Sequence, residues 1–66
     1  MTKQIEQLRT EAAQDGDLSM MAICDLALGK NGDEFAEHLP LYAQNWYLED
    51  AISYCSTVIE MNEVAS

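Results

Sequence analysis

Eleven consecutive residues, Leu18 to Leu28, read LSMMAICDLAL, and only Ser19 and Asp25 interrupt their apolar character. The run is too short to cross a bilayer, which takes roughly 18 apolar residues or more. With apolar side chains on every side, it predicts a helix in the middle of a bundle or at a subunit interface. Its ends are marked. Gly16 can take a positive φ and stop a preceding helix, and Asp17 can accept from the exposed amides that open the next one. Gly29 is a second stop, and Lys30 lies near the negative end of the helix dipole.

A central helix needs partners. The first should run from Lys3 to Gln14, with Thr2 as its cap and Ile5, Leu8 and Ala12 on one face. Lys3, Glu6, Arg9 and Thr10 then lie towards the outside. A final long helix is expected from Trp46 to Glu63, capped by Asn45, with Glu49 and Asp50 at its positive end. Leu48, Ile52, Cys55, Ile59 and Asn62 follow one of its faces, widened by Ala51 and Val58, and Tyr47, Tyr54 and Met61 form a flank. A strand over Ser53 to Ile59 would have nothing to pair with. Between these helices, Lys30 to Asp33 reads as a turn. A short helix from Asp33 to His38 would pair Phe35 with Leu39, and Pro40 would end it. Leu41 to Asn45 is either a loop or one more helical turn. The fold class is therefore all-α, a small three- to four-helix bundle in a single domain over residues 1–66. Ile5, Leu8, Met21, Cys24, Leu28, Ile52, Cys55 and Ile59 are its expected core.

At 66 residues the domain is small enough to be marginal in stability, burying only about 60% of the surface its unfolded chain exposes. Its apolar fraction, 48%, is too high for a disordered acidic tail. A second copy of the chain could complete the core, pairing through Met20, Ile23 and Leu26, so a homodimer is one expectation. Met1 to Thr10 has no apolar core of the signal-peptide kind, which points to the cytoplasm. In that compartment Cys24 and Cys55 should stay reduced and act as small hydrophobes.

Charge is the strongest pointer to function. Twelve acids face three basic residues, Lys3, Arg9 and Lys30, for a formal charge of -9. From Asn31 to Ser66 there are seven acids and no lysine or arginine. Such an excess opposes compaction, and a basic partner surface would give it a use. The commonest basic surfaces are those that hold nucleic acid. Direct nucleic-acid binding is not expected, because Leu18 to Leu28 carries no Lys or Arg to meet phosphates.

No catalytic motif is visible. His38 has neighbours Glu37, Leu39 and Pro40 and no metal-ligand spacing, and it reads as a surface histidine at a helix end. With Cys24 and Cys55 it makes at most three nitrogen or sulfur ligands, where a structural zinc site uses four. Asp15-Gly16-Asp17 and Asn31-Gly32-Asp33-Glu34 lack the alternating ligands and closing glutamate of an EF-hand, and helix capping accounts for both. No cofactor, metal or catalytic residue is expected. The candidate partner-binding set is Glu34, Glu37, Glu49 and Asp50 for charge, with Tyr42, Trp46 and Tyr47 as aromatic anchors.

The residues Ile5-x-x-Leu8-x-x-Glu11-Ala12 and Gly16-Asp17-x-x-x-Met21-x-Ile23-Cys24-Asp25-x-Ala27-Leu28 resemble a segment of small acidic helical phage and prophage proteins. There the pattern is an LRxEA helix, a GD turn and an ICDxAL helix, and a later cysteine-containing helix is similar to Ala51 to Cys55. The likeness covers about the first 30 residues, and Asn31 to Asn45 departs from it. In size, acidity and helicity the chain is also similar to anti-CRISPR proteins, many of which block nucleic-acid sites on CRISPR effector complexes. The resemblance implies a non-enzymatic inhibitor that acts by occupancy, as a DNA mimic or a steric block. Its partner would be a basic protein surface on a CRISPR effector or another nucleic-acid-binding complex. The competing expectation is a homodimerising assembly module whose acids serve solubility alone.

Overall fold

The computed structural model describes residues 1–30 and 36–65, apart from the side chains of Ala36, Val64 and Ala65. Among them are three α-helices: α1 (Thr2–Asp15), α2 (Leu18–Ala27) and α3 (Leu48–Ala65). Two single 3-10 turns, Ala36–His38 and Leu41–Ala43, lie between α2 and α3. The fold is all-α. The expected cap Asp33, the Phe35 contact and the site residue Glu34 fall outside the described residues.

Two glycines set the lengths of α1 and α2. Gly16 has φ 72° and Gly29 φ 74°. After α1, Asp17 N–H donates to Ala12 O at 2.8 Å and Gly16 N–H to Ala13 O at 3.2 Å. After α2, Lys30 N–H donates to Asp25 O at 3.0 Å and Gly29 N–H to Leu26 O at 3.1 Å. Both ends are Schellman motifs, in which a left-handed residue lets two amides fold back onto orphan carbonyls. Asp17 also opens α2, because its Oδ1 accepts from Met20 N–H at 3.0 Å. One residue thus closes one helix and caps the next.

The helix starts are less as expected. Ile5 N–H donates to Met1 O at 3.1 Å, so α1 begins at Thr2 and Thr2 lies inside its first turn rather than capping it. Asn45 does not cap α3. The segment before it is held by turn bonds, Ala43 N–H to Pro40 O at 2.9 Å and Trp46 N–H to Ala43 O at 3.1 Å. The first helical bond is Ala51 N–H to Tyr47 O, and Tyr47 N–H donates to Asp50 Oδ2 at 3.0 Å. An acid three residues on thus reaches back to the capping position, which is half of a capping box. Leu41 to Asn45 is a 3-10 turn followed by a further turn.

α2 packs against α1, α3 and the first 3-10 turn, which explains its apolar surround within one chain. Ile23 is fully buried, and Met20 and Leu26 pack partly buried against the core. The core cluster is Ile5, Leu8, Ile23, Cys24, Ala27, Ala43, Ala51 and Cys55. Met21, Leu28, Ile52 and Ile59, expected inside, are only half-buried. Where helices approach most closely in so small a body, alanine and cysteine fit and larger side chains are displaced to the margin.

Arg9, expected outside, turns inward. Its Nε donates to Asp25 Oδ1 at 2.6 Å and its Nη2 to Oδ2 at 3.4 Å. Lys30 Nζ lies 3.8 Å from the same carboxylate. Asp25 is 8% exposed, and this fork lets a charge sit in an otherwise apolar helix.

Candidate docking surface

The surface lies between the two turns and the start of α3. Pro40 is extended, and it sends the chain into the Leu41–Ala43 turn with Ala43 buried. Burying Ala43 faces its neighbours outward: Leu41 is 86% exposed and Tyr42 60%. Four residues on, Trp46 is half-buried against the core. Its ring centroid lies 5.6 Å from that of Tyr42 and 5.2 Å from that of Tyr54, and Tyr42 and Tyr54 are 6.3 Å apart. The three rings form a tilted triangle, a favourable arrangement for aromatic quadrupoles. The neighbouring Tyr42 phenol, together with partial burial, raises the Tyr54 pKa above the ordinary phenol range.

Tyr47 points away from this cluster and is 79% exposed; Leu48 beside it is also exposed. Tyr47, Leu48, Glu49 and Asp50 line one shallow depression. Trp46, Asp50, Ser53, Tyr54 and Thr57 line another. Asp50 belongs to both, so the ring triangle and the Tyr47–Leu48–Glu49 edge adjoin. Asp50 is exposed, yet one of its oxygens is engaged by the Tyr47 amide. It is a helix cap as well as a surface charge.

Of the anticipated residues, the structure therefore brings together Tyr42, Trp46, Tyr47, Glu49 and Asp50. Glu37 is exposed on the first 3-10 turn, which packs against α2, and its Oε1 lies 3.6 Å from His38 Nε2. Glu34 lies outside the described residues. Sequence reasoning missed Leu41, Leu48 and Tyr54. Leu41 had a signal: it follows Pro40 in an irregular stretch with no repeating stripe to bury it. The expected flank of Tyr47, Tyr54 and Met61 divides, with Tyr54 in the ring triangle and Tyr47 and Met61 exposed.

Electrostatically this end has little to offset it. Arg9 and Lys30, two of the chain's three basic residues, converge on Asp25 in α2. Among the described residues, no group of three or more His, Cys, Asp or Glu side chains is placed to hold a metal ion, and no helix is long and apolar enough to cross a membrane. No family model matches this chain, and neither does any curated protein or solved structure.

Proposed function

We propose that this protein is a non-enzymatic inhibitor of the kind mobile elements carry, one that docks on a basic, nucleic-acid-handling protein surface and blocks it by occupancy. A single observation carries the reading. Exposed Tyr47 and Leu48 line a depression with Glu49 and Asp50 that adjoins the Tyr42–Trp46–Tyr54 rings, while two of the three basic residues are drawn to Asp25. Large rings with adjacent carboxylates suit a partner that offers an apolar contact within a field of Lys and Arg. A CRISPR effector's nucleic-acid channel has that chemistry. Glu37 adds charge from the neighbouring turn. The net charge of -9 also opposes pairing of two such faces with each other, which favours a foreign partner over a second copy.

The test is competitive binding. The immobilised chain is offered purified CRISPR effector complexes, with guide and target nucleic acid as competitors. Binding should fall steeply with salt, because exposed charges are screened beyond about 8 Å at physiological ionic strength. Target nucleic acid should displace the protein, and Glu49→Lys or Tyr47→Ala should abolish binding with helicity unchanged. Self-association in sedimentation, with no effector bound, would overturn the reading in favour of an assembly module.

A further inference from the structure

We propose that the groove between α1 and α3 is a cation site, which takes one arginine side chain from a basic segment of the partner protein. The groove holds about 350 Å³ and shares no residue with the docking surface described above. α1 and α3 each pack more extensively on α2 than on each other, and their seam opens to solvent. They run parallel along it. At one end the Ser56 hydroxyl donates to the Met1 sulfur at 3.6 Å, and beyond it residues 4–11 of α1 face residues 59–63 of α3. Leu8, 7% exposed, and half-buried Ile59 are the apolar part of the lining. Exposed Gln4, Gln7 and Asn62 supply amides, and exposed Glu11 and Glu63 supply carboxylates.

Charge is graded along the groove. Gln4 and Ile59 lie nearest the Met1–Ser56 end, and Glu11 and Glu63 lie farthest from it on opposite walls. Among the described residues, no Lys or Arg lines the groove, and neither helix carries a basic residue in its last turn. The negative ends of the two parallel dipoles therefore add to the field of the carboxylates. A neutral, partly apolar stretch followed by paired anions is complementary to a long side chain with a cationic head. Arginine fits it best. Its methylene stem can lie on Leu8 and Ile59, and its planar head can donate to both walls at once. A lysine would bring a compact, strongly hydrated point charge instead. The amides of Gln4, Gln7 and Asn62 each hold donors and an acceptor, which suits the backbone of the segment that brings the arginine.

That the segment belongs to a nucleic-acid-handling protein rests on the proposed function, whereas the preference of the groove for a guanidinium does not. Asp50 and Glu63 are more than three turns apart on α3, or roughly 20 Å along its axis. Groove and docking surface can therefore be tested separately.

The isotope-labelled whole chain is titrated with a capped peptide that carries one arginine among alanines and glycines, and amide NMR shifts are followed. Saturable shifts should cluster on residues 4–11 and 59–63. Citrulline, the neutral isostere, in place of the arginine should abolish them. Glu11→Gln and Glu63→Gln should each weaken binding by about two- to fivefold, the range of an exposed ion pair. Glu6→Gln makes the same charge change at an exposed α1 position outside the groove and should leave binding unaltered. Gln7→Lys puts the chain's own cation into the groove and should block the peptide with helicity unchanged. No saturable shift, shifts spread over the whole acidic surface or confined to Tyr47–Asp50, an equal loss with Glu6→Gln, or equal binding of the citrulline peptide would each overturn the proposal. Arginine-peptide binding in the groove with no effector bound to the chain would sustain the site and overturn only the proposed partner.

Discussion

The hairpin of α1 and α2 and the segment from Ala36 to the start of α3 solve the same problem differently. In the hairpin, backbone groups freed at the end of α1 and at both ends of α2 are met within a few residues, by Gly16, Asp17 and Gly29 and the bonds they permit. Among its side-chain bonds, the Arg9–Asp25 fork joins the two helices across 16 positions. The second segment has two isolated 3-10 turns, one buried anchor at Ala43, and a ring triangle that closes only when Tyr54 arrives from the next helix. It leaves Leu41, Tyr42 and Tyr47 in water. The hairpin spends its apolar residues on its own core, and the second segment keeps some in reserve for contact. Rigidity from local rules and availability for a partner are thus separated along the chain.

That contrast can be broken most severely where the regions share a core. Ile23 packs in the common cluster, so Ile23→Ala should cost about 2–5 kcal/mol and melt both regions in one urea transition. Two separate transitions would show that they are independent. Arg9→Ala should cost about 1–3 kcal/mol, because it strips a mostly buried carboxylate of its principal donor. Arg9→Lys should recover only part, since an ammonium cannot reproduce the fork. Gly16→Ala meets no atom within 4 Å, yet its left-handed φ alone should cost roughly 1–2 kcal/mol in thermal or urea unfolding. Asp17→Ala should cost about 1 kcal/mol through the lost cap. At the other extreme, Tyr47→Ala should change stability by less than about 0.5 kcal/mol, the usual range for an exposed site, and abolish partner binding. A large stability loss there would place Tyr47 in the scaffold rather than the docking surface.

Much of the hairpin was legible because its signals are local. Gly16, Asp17 and Gly29 announce their roles by residue type and position, and the structure departs there by only a residue or so. The core was legible in its stripes and not in its depth. Periodicity marks which face turns inward, but the distance between helices decides which side chain fits at closest approach. That is why Ala27, Ala43 and Ala51 are buried and Ile52 and Ile59 only half so. The Arg9–Asp25 pair joins residues 16 positions apart and has no sequence spacing to reveal it. At the docking surface, charge and aromatic content were visible in composition. The joining of Asp50 to both depressions was not, because it depends on where α3 begins, and that start is set by the Asp50 cap itself.

The double duty of Asp17 has a temporal consequence. A connection of two residues makes bringing α1 and α2 together entropically cheap, so their pairing should precede slower, long-range closure by α3. The polypeptide would then acquire its scaffold early and its recognition surface last, so that nothing adhesive takes shape before there is a body to carry it.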